Sequence, residues 1–263
     1  MSGVNELFEG IGDAVKTIPE IYEDGLKPST EESGKTLALI PRTINAALAP
    51  LRIWIAQREY NVAETEKILA SKLEKVDADS IVSPDAYIAV PAFQGISYCM
   101  NSEELRNMYA NLLATSMLNN KKEKAHPSFV EIIKQLSPDE AKLLKKISES
   151  GDAYPLIDVK LNVAGGGYIT QVHNFTLLAE GVCEYPHKIF EYIDNLLRLK
   201  ILDIPFGVKI NNDKLYEPIE SYQEIKEIVN SKVPEGYSWK VERKKLEVTQ
   251  YGKSFIETCV KGI

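Results

Sequence analysis

His126 stands before Pro127 with Glu131 and Asp139 close behind it, and a histidine among carboxylates is a natural starting point for acid–base chemistry near neutral pH. No nucleophile or second histidine is held beside it by spacing, so this polar residue ahead of a proline reads as a helix N-cap. His173 and His187 belong to neither an HExxH motif nor any paired Cys/His spacing, and no metal site is expected from them. Gly165-Gly166-Gly167 has the small residues of a phosphate loop but neither its Gly-Lys-Ser/Thr ending nor the GxGxxG spacing, so a hairpin turn is expected there. Glu103, Glu104, Asp139 and Glu140 could form a carboxylate cluster. Each pair instead falls in the first turn of a predicted helix, where negative charge complements the helix dipole and closes capping boxes. The expectation is therefore a protein without catalytic residues, metal or cofactor.

Two further sets of residues bear on binding. Asn107, Asn111, His126 and Gln135 are polar side chains within strongly helical segments, where they serve either as buried hydrogen-bond partners or as a surface for another protein. Lys188, Arg198, Lys240, Arg243, Lys244 and Lys245 could meet a nucleic-acid backbone, although Glu191, Asp194, Glu242 and Glu247 lie among them. The formal charge of -7 opposes long-range attraction to a polyanion, which ranks nucleic acid below protein as the expected partner.

The elements that must carry these residues follow from apolar periodicity. Val4, Leu7, Phe8, Ile11, Ala14, Val15 and Ile18 fall on one helical stripe that Pro19 ends, and the polar stretch from Glu23 to Ser33 reads as a linker. Leu37 to Ala56 has nearly the length a bilayer requires, but it holds Arg42, Arg52, Pro41 and Pro50. A buried or amphipathic helix is expected rather than a constitutive span. Asn61 with Glu64, Ser83 with Pro84, and Asn101 with Glu104 each suggest a helix start. His126-Pro127 and Ser137-Pro138-Asp139-Glu140 open two more helices, joined through short loops.

After Gly151 the period changes. Ile157, Val159, Leu161 and Val163 alternate with Asp158, Lys160 and Asn162, the pattern of a half-buried strand that turns at the glycines into Tyr168 to Val172. A helix from Pro186, a short strand near Ile204, a two-stranded wing interrupted by Glu217 to Trp239, and a closing helix after Thr249 complete the reading. The fold expected is mainly α: a multi-helix domain over 1–136, then an α+β winged-helix-like domain over 137–263. The three cysteines, Cys99, Cys183 and Cys259, form no CxxC pair and fit a reducing compartment. With no basic and apolar leader at the N-terminus, a cytoplasmic location is expected.

From about Ile81 to Leu144 stand Pro84-Asp85-Ala86-Tyr87-Ile88-Ala89, then Glu104-Leu105-Arg106-Asn107-Met108-Tyr109-Ala110-Asn111-Leu112-Leu113-Ala114, then His126-Pro127-Ser128-Phe129-Val130-Glu131-Ile132-Ile133-Lys134-Gln135-Leu136-Ser137-Pro138-Asp139-Glu140-Ala141. In order and spacing they resemble the core of the Abi-alpha (abortive infection alpha) family, and Ala49-Pro50-Leu51 with the helix to Val76 extends the likeness. The resemblance implies bacterial phage defence, in which infection triggers arrest or death of the host cell before phage is released. It brings no catalytic residues with it. The function expected is a non-enzymatic sensor binding a phage or host protein, or a second copy of the chain. The alternatives are a winged-helix DNA-binding regulator and an effector that inserts apolar helices into a membrane on triggering.

Overall fold

A computed structural model describes residues 59–99 and 102–263. The predicted helix Val4 to Ile18, the linker from Glu23 to Ser33 and the apolar run Leu37 to Ala56 lie outside the described residues. Two compact units result: one runs to Gln135 and takes back Thr258–Ile263, and the other is Leu136–Glu257. The last six residues thus leave the domain to which the sequence pattern assigned them.

The first unit is helical. Helices α1 (Glu59–Leu73), α2 (Ala86–Tyr98), α3 (Glu103–Ser116) and α4 (Ser128–Lys134) bury Leu69, Leu73, Phe93, Leu113, Phe129 and Ile133 together. Three of the predicted starts are displaced. Asn61 is inside α1, which already includes Glu59. Asp85 rather than Ser83 sits at the start of α2. Ser102 caps α3 by accepting from Leu105 N at 3.3 Å, while the residue expected in that role, Asn101, lies outside the described residues. A short hydroxyl satisfies the orphan N–H at the third helical position as well as an amide would, which is why adjacent polar residues are hard to tell apart by pattern.

Tyr109 of α3 is fully buried because α2 passes it at Gly95, where an added Cβ would stand 2.4 Å from Tyr109 Cζ. Two residues on, the Asn111 amide donates to the carbonyls of Cys259 at 2.8 Å and Val260 at 3.1 Å, fastening the returning C-terminal segment.

The second unit opens with α5 (Pro138–Ser150), whose start is the predicted capping box: Ser137 Oγ accepts from Glu140 N, and Glu140 Oε2 accepts from Ser137 N at 2.6 Å. Strand β1 (Ala153–Asn162) begins four residues before its predicted start and turns through the glycines into β2 (Tyr168–Phe175). Gly165, Gly166 and Gly167 all take positive φ, and Gly166 N donates to Val163 O at 3.2 Å, closing a hairpin turn.

Helix α6 (Ile189–Arg198), the two-residue β3 (Leu202–Asp203), the short α7 (Glu217–Glu220) and α8 (Gln223–Val229), then β4 (Ser238–Val248) and α9 (Gln250–Phe255) follow. All four strands join one antiparallel sheet in the order β2-β1-β4-β3. β4 pairs with β1 from Ala153↔Glu247 to Asn162↔Ser238 but with β3 only at Leu202 and Asp203. The expected wing is thus a short margin of a sheet whose main pairing is between its first and last strands. The insertion at 217–239 packs Ile219 and Ile225 with Tyr216 on the sheet face that carries Ile157 and Val159.

Candidate functional site

Alternation along β1 and β4 puts Asp158, Lys160, Glu242 and Lys244 on the face opposite the one that holds Ile157 and Val159. A β-bulge brings β2 to the same place. Ile157 pairs with Phe175 and Val159 with Val172, so two steps on β1 face three on β2, and His173 and Asn174 come opposite Asp158. Asn174 absorbs the bulge with a left-handed φ of 56°, a conformation asparagine tolerates better than most residues.

The outcome is a tight polar cluster. Asp158, almost fully buried, accepts from Asn174 N at 2.8 Å and from Lys244 Nζ at 3.0 and 3.2 Å, and Lys244 also donates to Asn174 Oδ1. His173 stands at the edge, its Nε2 3.9 Å from Asp158 Oδ2 and its side chain 65% exposed. One rung further, Lys160 pairs with Glu242 and lies 4.2 Å from the centre of the Tyr168 ring. The hydrogen bond to Glu242 raises the Lys160 pKa above its usual value, so that ammonium stays charged.

These groups floor a groove of about 580 Å³ whose far wall is the loop 204–209. The loop is held to the sheet by Lys245 N donating to Val208 O at 3.0 Å, and Tyr216 pins its continuation by accepting from Ile210 N and donating to Lys244 O. Phe206, at the crest of the loop, is fully exposed, and Val208 beside it is partly so.

The side chains of the cluster are held by one another. Asp158 and Lys244 are each engaged by more than one partner, and no serine, threonine or cysteine lines the groove. Among the described residues no three His, Cys, Asp or Glu side chains are placed to hold a metal ion.

Of the predicted residues, His126 is exposed and stands one residue before Pro127, which takes the cap position of α4 in its place; the His126 Nδ1 accepts from Ser128 N at 3.2 Å. His187 meets the Tyr185 ring edge-on, and Gln135 donates to Glu131 O at 2.8 Å on the surface. Asn107 is half-buried on α3, while Asn111 is only 4% exposed, which removes it from any partner surface.

Glu103 and Glu104 occupy the first turn of α3. Asp139 is buried in the second unit, where it accepts from Glu184 N, Tyr185 N and Tyr192 Oη, each at 2.9 Å, and from Lys142 Nζ at 3.2 Å. Glu140 takes Asn195 Nδ2 at 2.7 Å. Asp139 and Glu140 thus tie loop and helix together, and both line one hollow of about 430 Å³ with Glu184 and Glu191.

The basic set is not a free patch. Arg243 is held by Glu220 and Asp213 and stacks on Tyr216, Lys244 by Asp158, and Lys245 by Glu247. Arg198 is bonded to Asn195, Lys188 lies over the Tyr185 ring, and Lys240 is exposed.

Residues the sequence reading passed over are Asp158, Lys160, Asn174, Glu242 and Phe206. Their signal was the shared parity of Asp158 with Lys160 and of Glu242 with Lys244. Charges repeated at steps of two on a strand lie on one face and must be solvated or paired there.

Fold and site define a mainly helical protein with an antiparallel sheet that presents a charge-matched groove. The chain matches the family described as abortive infection alpha over residues 57–259, most of its length, and belongs to that family. No curated protein and no solved structure matches it.

Proposed function

We propose that this protein serves abortive-infection defence as a non-enzymatic sensor in the cytoplasm, and that a phage or host protein docks in the groove beside Phe206. The observation that carries the reading is the full exposure of the Phe206 ring on a loop otherwise fastened to the sheet. An exposed aromatic at the lip of a groove is the usual anchor of a protein interface, and a floor of matched charges adds hydrogen bonds without a strong field of either sign.

The order β1-β4-β3, with α6 leading into β3, is compatible with a winged-helix module, which serves protein contacts as well as DNA. DNA is the weaker reading here, because Arg243, Lys244 and Lys245 already have carboxylate partners and a phosphate would have to displace them. For the membrane reading, no helix among the described residues is long and apolar enough to cross a bilayer.

The test is plaque formation on cells carrying the wild type or Phe206→Ser, using a phage that the wild type restricts, with affinity capture during infection. The variant is expected to fold normally, to lose the captured partner and to lose protection at least tenfold. Full protection with an intact partner would remove Phe206 and the groove from the mechanism.

A further inference from the structure

A second pocket, of about 470 Å³, lies within the first unit and differs from the groove in its charges. Lys72, Lys75 and Lys121 line it with Ser71, Ser80 and Asn120, and no Asp or Glu side chain does. In the groove of the other unit Lys160 and Lys244 each face a carboxylate. Among the described residues none of these three lysines makes an ion pair, although the chain as a whole carries a formal charge of -7. The nearby acidic residues Glu74, Asp77 and Asp79 do not reach the lining, and Asp77 is turned back to accept from Asp79 N.

The walls are set in advance. Ile81 and Leu118 form an isolated antiparallel bridge, Val82 N donates to Met117 O at 2.8 Å, and Asn119 N donates to Ser80 O at 3.0 Å. Lys121 and Lys122 N both return to Leu118 O, which closes the turn carrying Lys121. Lys72 is half-buried at the end of α1, and burial lowers its pKa with no negative group to offset the cost.

We propose that this pocket binds a small phosphate-bearing molecule. Its volume falls within the range of about 300–1,000 Å³ usual for small-molecule sites. Three ammonium groups suit several anionic oxygens, Ser71 and Asn120 supply neutral donors, and Val76 and Leu118 offer an apolar wall to the rest of the ligand. The inference concerns a different unit from the groove and stands or falls separately from it.

The test is calorimetric titration of the full chain with inorganic pyrophosphate, alongside Lys72→Met, Lys75→Gln and Lys121→Gln and, as a control, Lys145→Gln on the exposed side of α5. The expected result is single-site binding that weakens with added salt, weakens about tenfold or more in each pocket variant, and is unchanged in the control. Lys72→Met is also expected to raise Tm without pyrophosphate, since it removes an unmatched charge, which separates lost binding from lost folding. Lys75 is exposed, so its variant keeps the test open if Lys72→Met folds poorly. No saturable binding at millimolar pyrophosphate, or equal binding in all the variants, overturns the proposal. A single-stranded oligonucleotide that binds the same lysines more tightly than pyrophosphate overturns the small-molecule assignment.

Discussion

Tyr192 donates its hydroxyl to Asp139 Oδ2 at 2.9 Å, and through that carboxylate α5 and α6 hold the loop at Glu184 and Tyr185 between them. Burial alone would raise the Asp139 pKa, but two backbone N–H groups, Tyr192 and Lys142 outweigh it and hold the carboxyl at about 2. A depressed folded pKa contributes stability that is present above the unfolded value of 3.8 and is lost as pH falls toward 2. Asp139→Asn is therefore expected to cost about 2 kcal/mol at neutral pH and to flatten the pH dependence between 4 and 2. Urea unfolding of both proteins from pH 2 to 7 checks it, and parallel acid limbs would show that another group governs them.

Gly252 is needed for close approach. Thr249 caps α9 by accepting Gly252 N at 2.8 Å and donates to Lys200 O at 2.6 Å, which brings the helix start against the chain leading into β3. A Cβ on Gly252 would lie 2.1 Å from Ile201 O, a backbone atom that cannot rotate away. Gly252→Ala is expected to destabilise the protein by about 3 kcal/mol despite the better helix propensity of alanine. A thermal midpoint within two degrees of wild type would contradict the packing at this junction.

The start of α5 and the first hairpin were legible because their signals are local. Ser137, Pro138 and Glu140 make a capping box within four residues, and three glycines permit only a few turns. The groove was not legible, because it is made by pairing Lys160 with Glu242 across 82 residues and by a bulge whose extra residue leaves no period to detect. Lys240 to Lys245 looked like a basic cluster because neighbours in sequence were counted together, whereas a strand sends alternate members to opposite faces and each face brings its own acids.

Asn111 gives the contact between α3 and the C-terminal segment a single point of failure. Its amide supplies both carbonyls it meets, and Gly262, at φ 76°, passes so close that a Cβ there would sit 2.5 Å from Asn111 Oδ1. Asn111→Ala leaves the Cys259 and Val260 carbonyls without that donor and is expected to cost about 1–3 kcal/mol. Amide exchange over Ile256–Lys261 should accelerate more than exchange in the centre of α3. Equal acceleration in both would mean that the segment unfolds only with the whole unit.

Neutralising Arg243, Lys244 and Lys245 together is the obvious way to test for nucleic-acid binding, and the ion pairs predict that it will mislead. Removing Lys244 strands the buried Asp158 carboxylate, and removing Arg243 strands Glu220 while exposed Asp213 keeps Lys209, so the triple variant should unfold far more readily than wild type. Breaking one buried pair costs about 3–5 kcal/mol, and exposure of the Lys244 side chain places this case at the lower end. The lost stability should return in part when Asp158→Asn is combined with Lys244→Met, because the stranded charge is then gone. Denaturant unfolding of the two single variants and the double variant measures this coupling, and simple additivity would mean that the pair contributes nothing to the groove. Lys240→Gln alters an exposed cation and should leave stability unchanged, so any effect on nucleic-acid binding could be read from it directly.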